Sequence, residues 1–281
     1  MTIVNELKRI EKNIKASYTA LKDKGAELPT VQNSDNLASA IANLEVGGGG
    51  DEWVQILFET GAPQKLVIPN NIKKVRDYAF AYMSTYPSWA KNIEEIEGEE
   101  VEELGASVFA GQSNVEKLNL PKLKIIGDDA LKFSSNSSNV KYIKFGALEY
   151  IGDNAFSYVF QNGSIDFCEY SLAQGCEIGK SAFSYCGLPS FDFTGVKSIG
   201  ASCFNYATVK MKIWVPSTVE TINCTSTGTS MFANSQRQHL IFTDVADENS
   251  VPSGWGAQWN KASGTLQKVT YNATYQDFLN A

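Results

Sequence analysis

Short runs in which apolar and polar residues alternate recur along most of the chain. They are Lys65–Pro69 (KLVIP), Val115–Pro121 (VEKLNLP), Val140–Phe145 (VKYIKF), Ser164–Phe167 (SIDF), Ser190–Phe193 (SFDF), Met211–Pro216 (MKIWVP) and His239–Thr243 (HLIFT). A period of two predicts strands that bury one face. Leu118 with Leu120, Ile143 with Phe145, Phe191 with Phe193, and Ile213 with Val215 are the predicted inward pairs. Pro69, Pro121 and Pro216 end their strands, because proline has no N–H to give to a ladder.

A nine-residue pattern accompanies these runs. Leu123–Leu131 (LKIIGDDAL), Leu148–Phe156 (LEYIGDNAF) and Val196–Phe204 (VKSIGASCF) are close copies. Ile72–Phe80 (IKKVRDYAF), Val101–Phe109 (VEELGASVF), the shortened Ile178–Phe183 (IGKSAF) and an interrupted copy over Val219–Phe232 complete the series. The anchors Phe80, Phe109, Leu131, Phe156, Phe183, Phe204 and Phe232 are separated by 29, 22, 25, 27, 21 and 28 residues. Such a period marks a solenoid, in which each unit buries its apolar face only by stacking on its neighbours. The predicted return path turns at the glycines 105, 127, 152, 179 and 200, and Asp128 or Asp153 caps a short helical turn. A small residue (Ala130, Ala155, Ala182, Cys203) then lets the backbone approach the sheet, and the anchor fills the interior.

These residues resemble the BspA-like leucine-rich repeats of bacterial surface proteins. That family repeats I-x-x-I-G-x-x-A-F-x-x-C-x-x-L-x-x-I-x-x-P, and Ile178–Leu188 (IGKSAFSYCGL) nearly reproduces its middle, Cys186 included. The resemblance covers roughly Ala62 to Phe242. It implies an α/β repeat solenoid, a right-handed leucine-rich-repeat stack with short strands on one face and short irregular helices and loops on the other. It also implies a module without chemistry of its own that binds host or matrix proteins, by protein–protein interaction or adhesion at a cell surface. Arg76 in place of the turn glycine, Leu131 in place of phenylalanine, and the insertion Asn223–Ser230 depart from the pattern, so those copies are expected to be distorted or terminal. The family has no fixed binding residues, and none is carried over.

About seven repeats are expected over residues 52–250, between a helical element (1–46), a glycine-rich linker (47–51) and a capping unit (251–281). Residues 3–22 place Ile3, Leu7, Ile10, Ile14 and Leu21 on a heptad seam with one seat, Ser17, left polar. A second helix is expected over Ser34–Leu44. Two readings stand for this element: a hairpin folded on itself or on the first repeat, or a homo-oligomer through residues 3–22. The layout is also similar to the N-terminal segments of phage and prophage tail proteins, which gives a virion host-binding protein as the alternative function. At the other end Trp255 and Trp259, four apart, either fill the core of the cap or form a carbohydrate-stacking platform, and Val269 and Tyr271 suit a last strand.

The 281-residue chain carries a net charge of −7 and a predicted pI of about 4.9, which argues against nucleic acid as a partner. Seven glutamates within Glu94–Glu103 are read as a solvated loop between the first two repeats, because they lack the alternating oxygen spacing of a calcium loop. The five cysteines form no C-x-x-C pair, and Cys186 and Cys203 are expected as buried free thiols. A Cys168–Cys176 bridge is conceivable. His239 is the only histidine, read as a surface or partly buried structural residue, and no G-x-S-x-G, P-loop or G-x-G-x-x-G accompanies it. No enzyme, cofactor or metal site is expected. The opening MTIVNELKRIEKN is charged and lacks the apolar stretch of a secretory signal, and no run approaches a membrane span. A cell-surface, extracellular or virion location therefore rests on the resemblance alone. Outward strand positions predict one binding ladder: Val67, Asn119, Lys144, Asp166, Asp192, Trp214 and Ile241, with Tyr142 nearby. Trp214 is either its exposed hot spot or ordinary core under adjacent loops.

Overall fold

The computed structural model describes residues 12–15, 17–19, 54, 64–81, 93–133, 140–160, 167–262 and 265–281. Its strands, in chain order, are β1 (Lys65–Val67), β2 (Lys74–Val75), β3 (Glu95–Glu97), β4 (Glu103–Leu104), β5 (Lys117–Leu120), β6 (Ile125–Ile126), β7 (Tyr142–Ile151) and β8 (Phe167–Ile178). The second half adds β9 (Ser190–Asp192), β10 (Val196–Ile199), β11 (Lys212–Trp214), β12 (Thr221–Ile222), β13 (Leu240–Phe242), β14 (Lys261–Ala262), β15 (Thr265–Leu266) and β16 (Lys268–Thr270). The chain is a parallel β-solenoid: apart from the antiparallel pair β14–β15, every described ladder is parallel. One side is built by β1, β3, β5, β7 and β8, and the other by β2, β4 and β6 with the far ends of β7 and β8, then β10 and β12. A separate sheet, β9–β11–β13–β16, continues the first side. The inward rows are those the alternation predicts: Leu66, Ile96, Leu118 and Ile143 lie in register, and all are buried.

The return path is where sequence and structure part. The segment read as a short helical turn is a non-helical run whose backbone bonds the coil above it. Phe80 N–H donates to Val108 O (2.8 Å), Phe109 N–H to Ala130 O (2.8 Å), Leu131 N–H to Ala155 O (2.9 Å), and Phe156 N–H to Ala182 O (2.8 Å). The bonds continue from Phe183 N–H to Cys203 O (2.9 Å) and from Phe204 N–H to Met231 O (2.9 Å). Two residues before the first six anchors the chain takes a left-handed conformation, as at Asn154 (φ 53°), Ser181 (φ 54°) and Ser202 (φ 58°), whereas Ser230, before Phe232, does not (φ −54°). The anchors then stack: Phe156 and Phe183 have ring centroids 5.2 Å apart, and Phe204 and Phe232 5.7 Å. Leu131 sits fully buried in the same column between Phe109 and Phe156.

The repeat glycines are required for a different reason from the one expected. None of Gly105, Gly127, Gly152, Gly179 or Gly200 has a positive φ. A Cβ at Gly179 would instead lie 2.6 Å from the Gly152 carbonyl carbon and 2.5 Å from the Asp153 nitrogen, so the coils stack too closely for a side chain. The aspartates likewise cap the next coil, not a helix of their own. Asp128 Oδ1 accepts from Asp153 N–H (2.8 Å), Asp153 Oδ1 from Lys180 N–H (2.6 Å), and Asp77 Oδ1 from Ala106 N–H (2.8 Å).

The glutamate-rich segment is no solvated loop. It supplies β3 and β4, an acidic coil between two coils that carry lysines. Glu97 lies 2.7 Å from Lys65 and 2.6 Å from Lys117, and Glu102 lies 3.4 Å from Lys73 and 3.0 Å from Lys124. Burial pushes the Glu97 carboxyl up, but the hydrogen bonds and charges of Lys117 and Lys65 outweigh it and hold the group below its ordinary value.

Residues 12–15 and 17–19 are helical. Ser17 and Tyr18 are buried, and Tyr18 and Val54 belong to the core cluster that runs through the solenoid, with Ile14 packed against it. The described part of the expected heptad seam therefore faces the solenoid. The second expected helix (34–44) and the linker (47–51) lie outside the described residues. At the far end Trp255 and Trp259 are both buried, edge to face with centroids 4.7 Å apart, in a segment of turns and not on a helix. Trp255 Nε1–H donates to Val219 O (2.8 Å), and its backbone bridges Ile222. These tryptophans close the core, which leaves no exposed stacking platform there. Val269, in β16, pairs with Ile241 as a last strand should.

Candidate binding surfaces

Outward positions of the first sheet form two parallel rows. One runs Val67, Glu97, Asn119, Lys144 and Glu169, and the other Lys65, Glu95, Lys117 and Tyr142. Asn119, Tyr142 and Lys144 of the predicted ladder are thus neighbours on β5 and β7, with Lys117 Nζ 5.5 Å from the centre of the Tyr142 ring. Lys144 pairs with Glu169 at 3.6 Å, and Val67 is 43% exposed at the patch's edge. Asp166 lies outside the described residues; Glu169 holds the row position assigned to it.

The second sheet presents Asp192, Trp214, Phe242 and Thr270 on this side; here the predicted ladder fails at Ile241, and of the two readings of Trp214 the structure takes the covered one. Ile241 points the other way, fully buried in register with Ile213. Trp214 is only 5% exposed, because the helix α1 (Tyr275–Asn280) lies across it. Trp214 meets Tyr275 edge to face (5.6 Å) and Phe278 (6.3 Å), and Phe242 also meets Phe278 (6.1 Å). Together with Ala273 these side chains form a second small apolar cluster on the outside of the solenoid. Tyr275 hydroxyl donates to Asp192 Oδ2 (2.6 Å), and Lys212 Nζ donates to the carbonyls of Leu279 and Ala281 (3.3 Å each). Asp192 is therefore also engaged by this helix. The helix is defined locally by Thr274, whose hydroxyl accepts from Asp277 N–H while the Asp277 carboxylate accepts from Thr274 N–H.

Most of the groups that could do chemistry are shut in; the exception is Cys168, which is exposed and whose thiol is pushed up to about 11 by desolvation. His239 is fully buried, stacked on Phe232 with centroids 4.1 Å apart. Met211 N–H donates to Nδ1 (3.1 Å), so the ring proton sits on Nε2, 2.9 Å from Ser235 Oγ. Burial, aided by the charge of Arg237, lowers its pKa from 6.5 to about 4. All five cysteines are free, and Cys168 and Cys176 lie at opposite ends of one extended strand, β8, where they cannot bridge. Burial pushes the Cys176, Cys186 and Cys224 thiols up to about 12 and Cys203 well above its ordinary value, so none is a ready thiolate. Among the described residues no three histidine, cysteine or acidic side chains gather to hold a metal, and no helix is long and apolar enough to cross a membrane.

One surface feature escaped the sequence reading. Two residues after their anchors, Tyr158, Tyr185 and Tyr206 stack ring on ring at 4.4 and 4.5 Å along the turn edge. The signal was present as a tyrosine in the same place in three consecutive copies, AFSY, AFSY and CFNY.

Parallel coils with a continuous apolar interior and, among the described residues, an uncovered strand face from β1 to β8 define a repeat scaffold, of a kind that typically binds and does not catalyse. The sequence matches the BspA type leucine-rich repeat region in six copies, over residues 55–172, 85–207 and 136–249, and the chain belongs to that family. No curated protein matches the chain.

Proposed function

We propose that this chain is a non-catalytic protein-binding module that mediates adhesion at a bacterial cell surface. It would take its partner on the open strand face from β1 to β8. The observation that carries this reading is the contrast between the two faces of each strand. Inward positions are uniformly aliphatic (Leu66, Ile96, Leu118, Ile143), whereas outward neighbours change character from coil to coil (Val67, Glu97, Asn119, Lys144, Glu169). Stacking fixes the first set and leaves the second free to encode a partner. Tyr142 and Lys144, two apart on the outward face of one strand with Asn119 beside them, are the proposed centre, since tyrosine is among the side chains that dominate binding hot spots and Lys144 sets a charge next to it.

The test is surface plasmon resonance of the full chain over a panel of immobilised extracellular-matrix proteins. For any protein bound, Tyr142→Ala and Lys144→Glu should each weaken binding at least about tenfold, which is about 1.4 kcal/mol. Undiminished binding by these folded variants refutes the assignment of the open face.

A further inference from the structure

We propose that the Tyr158–Tyr185–Tyr206 ladder is an oxidative cross-linking site, at which a one-electron oxidant joins neighbouring coils through a dityrosine bond. The placement of these residues is the first support. Each occupies a left-handed position (φ 66°, 57° and 54°) that Gly111 fills in an earlier coil (φ 78°) and Asn234 in a later one (φ 57°). Glycine or asparagine accepts that backbone readily, and a bulky aromatic does not. Three consecutive coils nevertheless place a tyrosine there.

Geometry is the second support. The rings are nearly parallel, 13° and 12° apart, with centroid separations of 4.4 and 4.5 Å. Backbone bonds hold them at the spacing of the coils: Tyr158 N–H donates to Ser184 O (3.0 Å), Tyr185 N–H to Asn205 O (2.8 Å), and Tyr206 N–H to Ala233 O (2.8 Å). Tyr206 is 41% exposed and the other two are half-buried, so a diffusing oxidant reaches the ring edges. Desolvation and the neighbouring hydroxyls of Tyr158 and Tyr206 push the Tyr185 phenol up to about 12. It is thus protonated at neutral pH, and its proton must leave with the electron.

The reaction balances as follows. A peroxidase using hydrogen peroxide removes one electron from each of two neighbouring phenols, and each phenolic proton passes to water. The two phenoxyl radicals pair their electrons in a new carbon–carbon bond between the positions ortho to the oxygens. Each ortho C–H bond then breaks and its proton returns to the oxygen, restoring both rings. The pair loses two electrons and two protons, and the peroxide takes them up to become two waters. Fixed neighbours replace a bimolecular encounter by an intramolecular one, which favours coupling within the ladder over coupling between molecules. Tyr185 touches both other rings and must be a partner in every link. The product staples segments 27 or 21 residues apart in sequence, closing loops that the unfolded chain would otherwise leave free.

Trypsin separates the three residues, since cleavage after Lys144, Lys180, Lys197 and Lys210 puts Tyr158, Tyr185 and Tyr206 on different peptides. The full chain is treated with horseradish peroxidase and hydrogen peroxide at low protein concentration, digested, and mapped by mass spectrometry. The expected product joins peptide 181–197 to 145–180 or to 198–210, with the loss of two hydrogens. Tyr185→Phe, which keeps the stacked ring, should reduce the total dityrosine formed at least tenfold, and Tyr150→Phe, which alters another tyrosine of peptide 145–180, should leave it unchanged. Oxidation in concentrated urea should abolish the preference for these pairs. Total dityrosine undiminished in Tyr185→Phe, formed by tyrosines outside the ladder, overturns the proposal. So does dityrosine that is as scattered in the folded chain as in the unfolded one.

Discussion

Acidification should destabilise this solenoid through its single histidine. In the folded chain His239 accepts a hydrogen bond from Met211 N–H, so protonating Nδ1 breaks that bond and places a charge in the core beside Phe232. The folded pKa, about 4, lies below the ordinary 6.5. The unfolded chain therefore binds the proton more readily, and the stability contribution is complete above pH 6.5. It is lost as the pH falls from 6.5 to about 4 and changes no further below that. A difference of this size corresponds to about 3 kcal/mol. His239→Phe keeps the ring on Phe232 but cannot titrate. It orphans the Met211 N–H at a cost of about 1–3 kcal/mol at pH 7.5. Urea unfolding of both proteins from pH 7.5 to 4 cancels the titration of the many carboxylates, and the advantage of the wild type should fall by about 3 kcal/mol across that range. The lone imidazole can also be followed directly by NMR, with a midpoint near 4 when folded and near 6.5 in urea. A wild-type advantage that stays constant with pH, or a folded midpoint near 6.5, refutes the reasoning.

Gly179→Ala forces a Cβ against the backbone of the preceding coil and should cost about 1–3 kcal/mol, seen as a lower thermal midpoint. Gly228→Ala meets nothing within 4 Å and should stay within about 0.5 kcal/mol of the parent. Phe278→Ala removes the side chain that bridges Trp214 and Phe242, so α1 should detach while the solenoid stays folded. Hydrogen exchange should then quicken over residues 273–281 and tryptophan emission shift to the red, with the unfolding midpoint of the coils little changed. Lys117→Ala leaves Glu95 and Glu97 without one of their partners. The cost should be about 1 kcal/mol or less and should shrink in high salt, as measured by urea unfolding with and without sodium chloride.

What could be read from the sequence divides by the distance over which a residue's surroundings are set. Leu66, Leu118 and Ile143 declared themselves, because alternation within one strand decides which face they take. Gly152, Gly179 and Asp153 were recognised as repeat positions but given the wrong purpose. Their constraints come from atoms one coil away, some 25 residues distant in sequence. Alternation misplaces Ile241, because a strand that opens on histidine has no plainly apolar residue there to mark the inward face. His239 is buried on the same side as Ile241, two residues on. The glutamate run looked like loop because its charge is neutralised by lysines on the coils before and after it. Trp214 could not have been settled locally, since the residues that cover it, Tyr275 and Phe278, come more than sixty positions later.

That last displacement bears on how the open face would recognise a partner. The large aromatic residues of the outward rows, Trp214 and Phe242, are already spent on α1, along with Asp192 and Lys212. The rows of the first sheet carry Tyr142, with Phe167 next to it in register on β8, amid lysines and glutamates that largely satisfy one another. A partner must therefore displace or extend existing ion pairs, with little apolar surface to bury in exchange. Mixed-sign charge at the rim of such a site governs encounter and choice of partner more than raw affinity. The interaction proposed for this face should accordingly be weak per site, strengthened by multiple copies of the chain. Its association rate should fall as sodium chloride is raised from 50 to 500 mM (on the order of fivefold or more) while dissociation changes little. Stopped-flow or surface-plasmon kinetics over that salt series would separate the two. A salt-independent association rate would mean that the partner is held by the few apolar groups of this face, such as Val67 and Tyr142, and not by its charges, and would refute this reading.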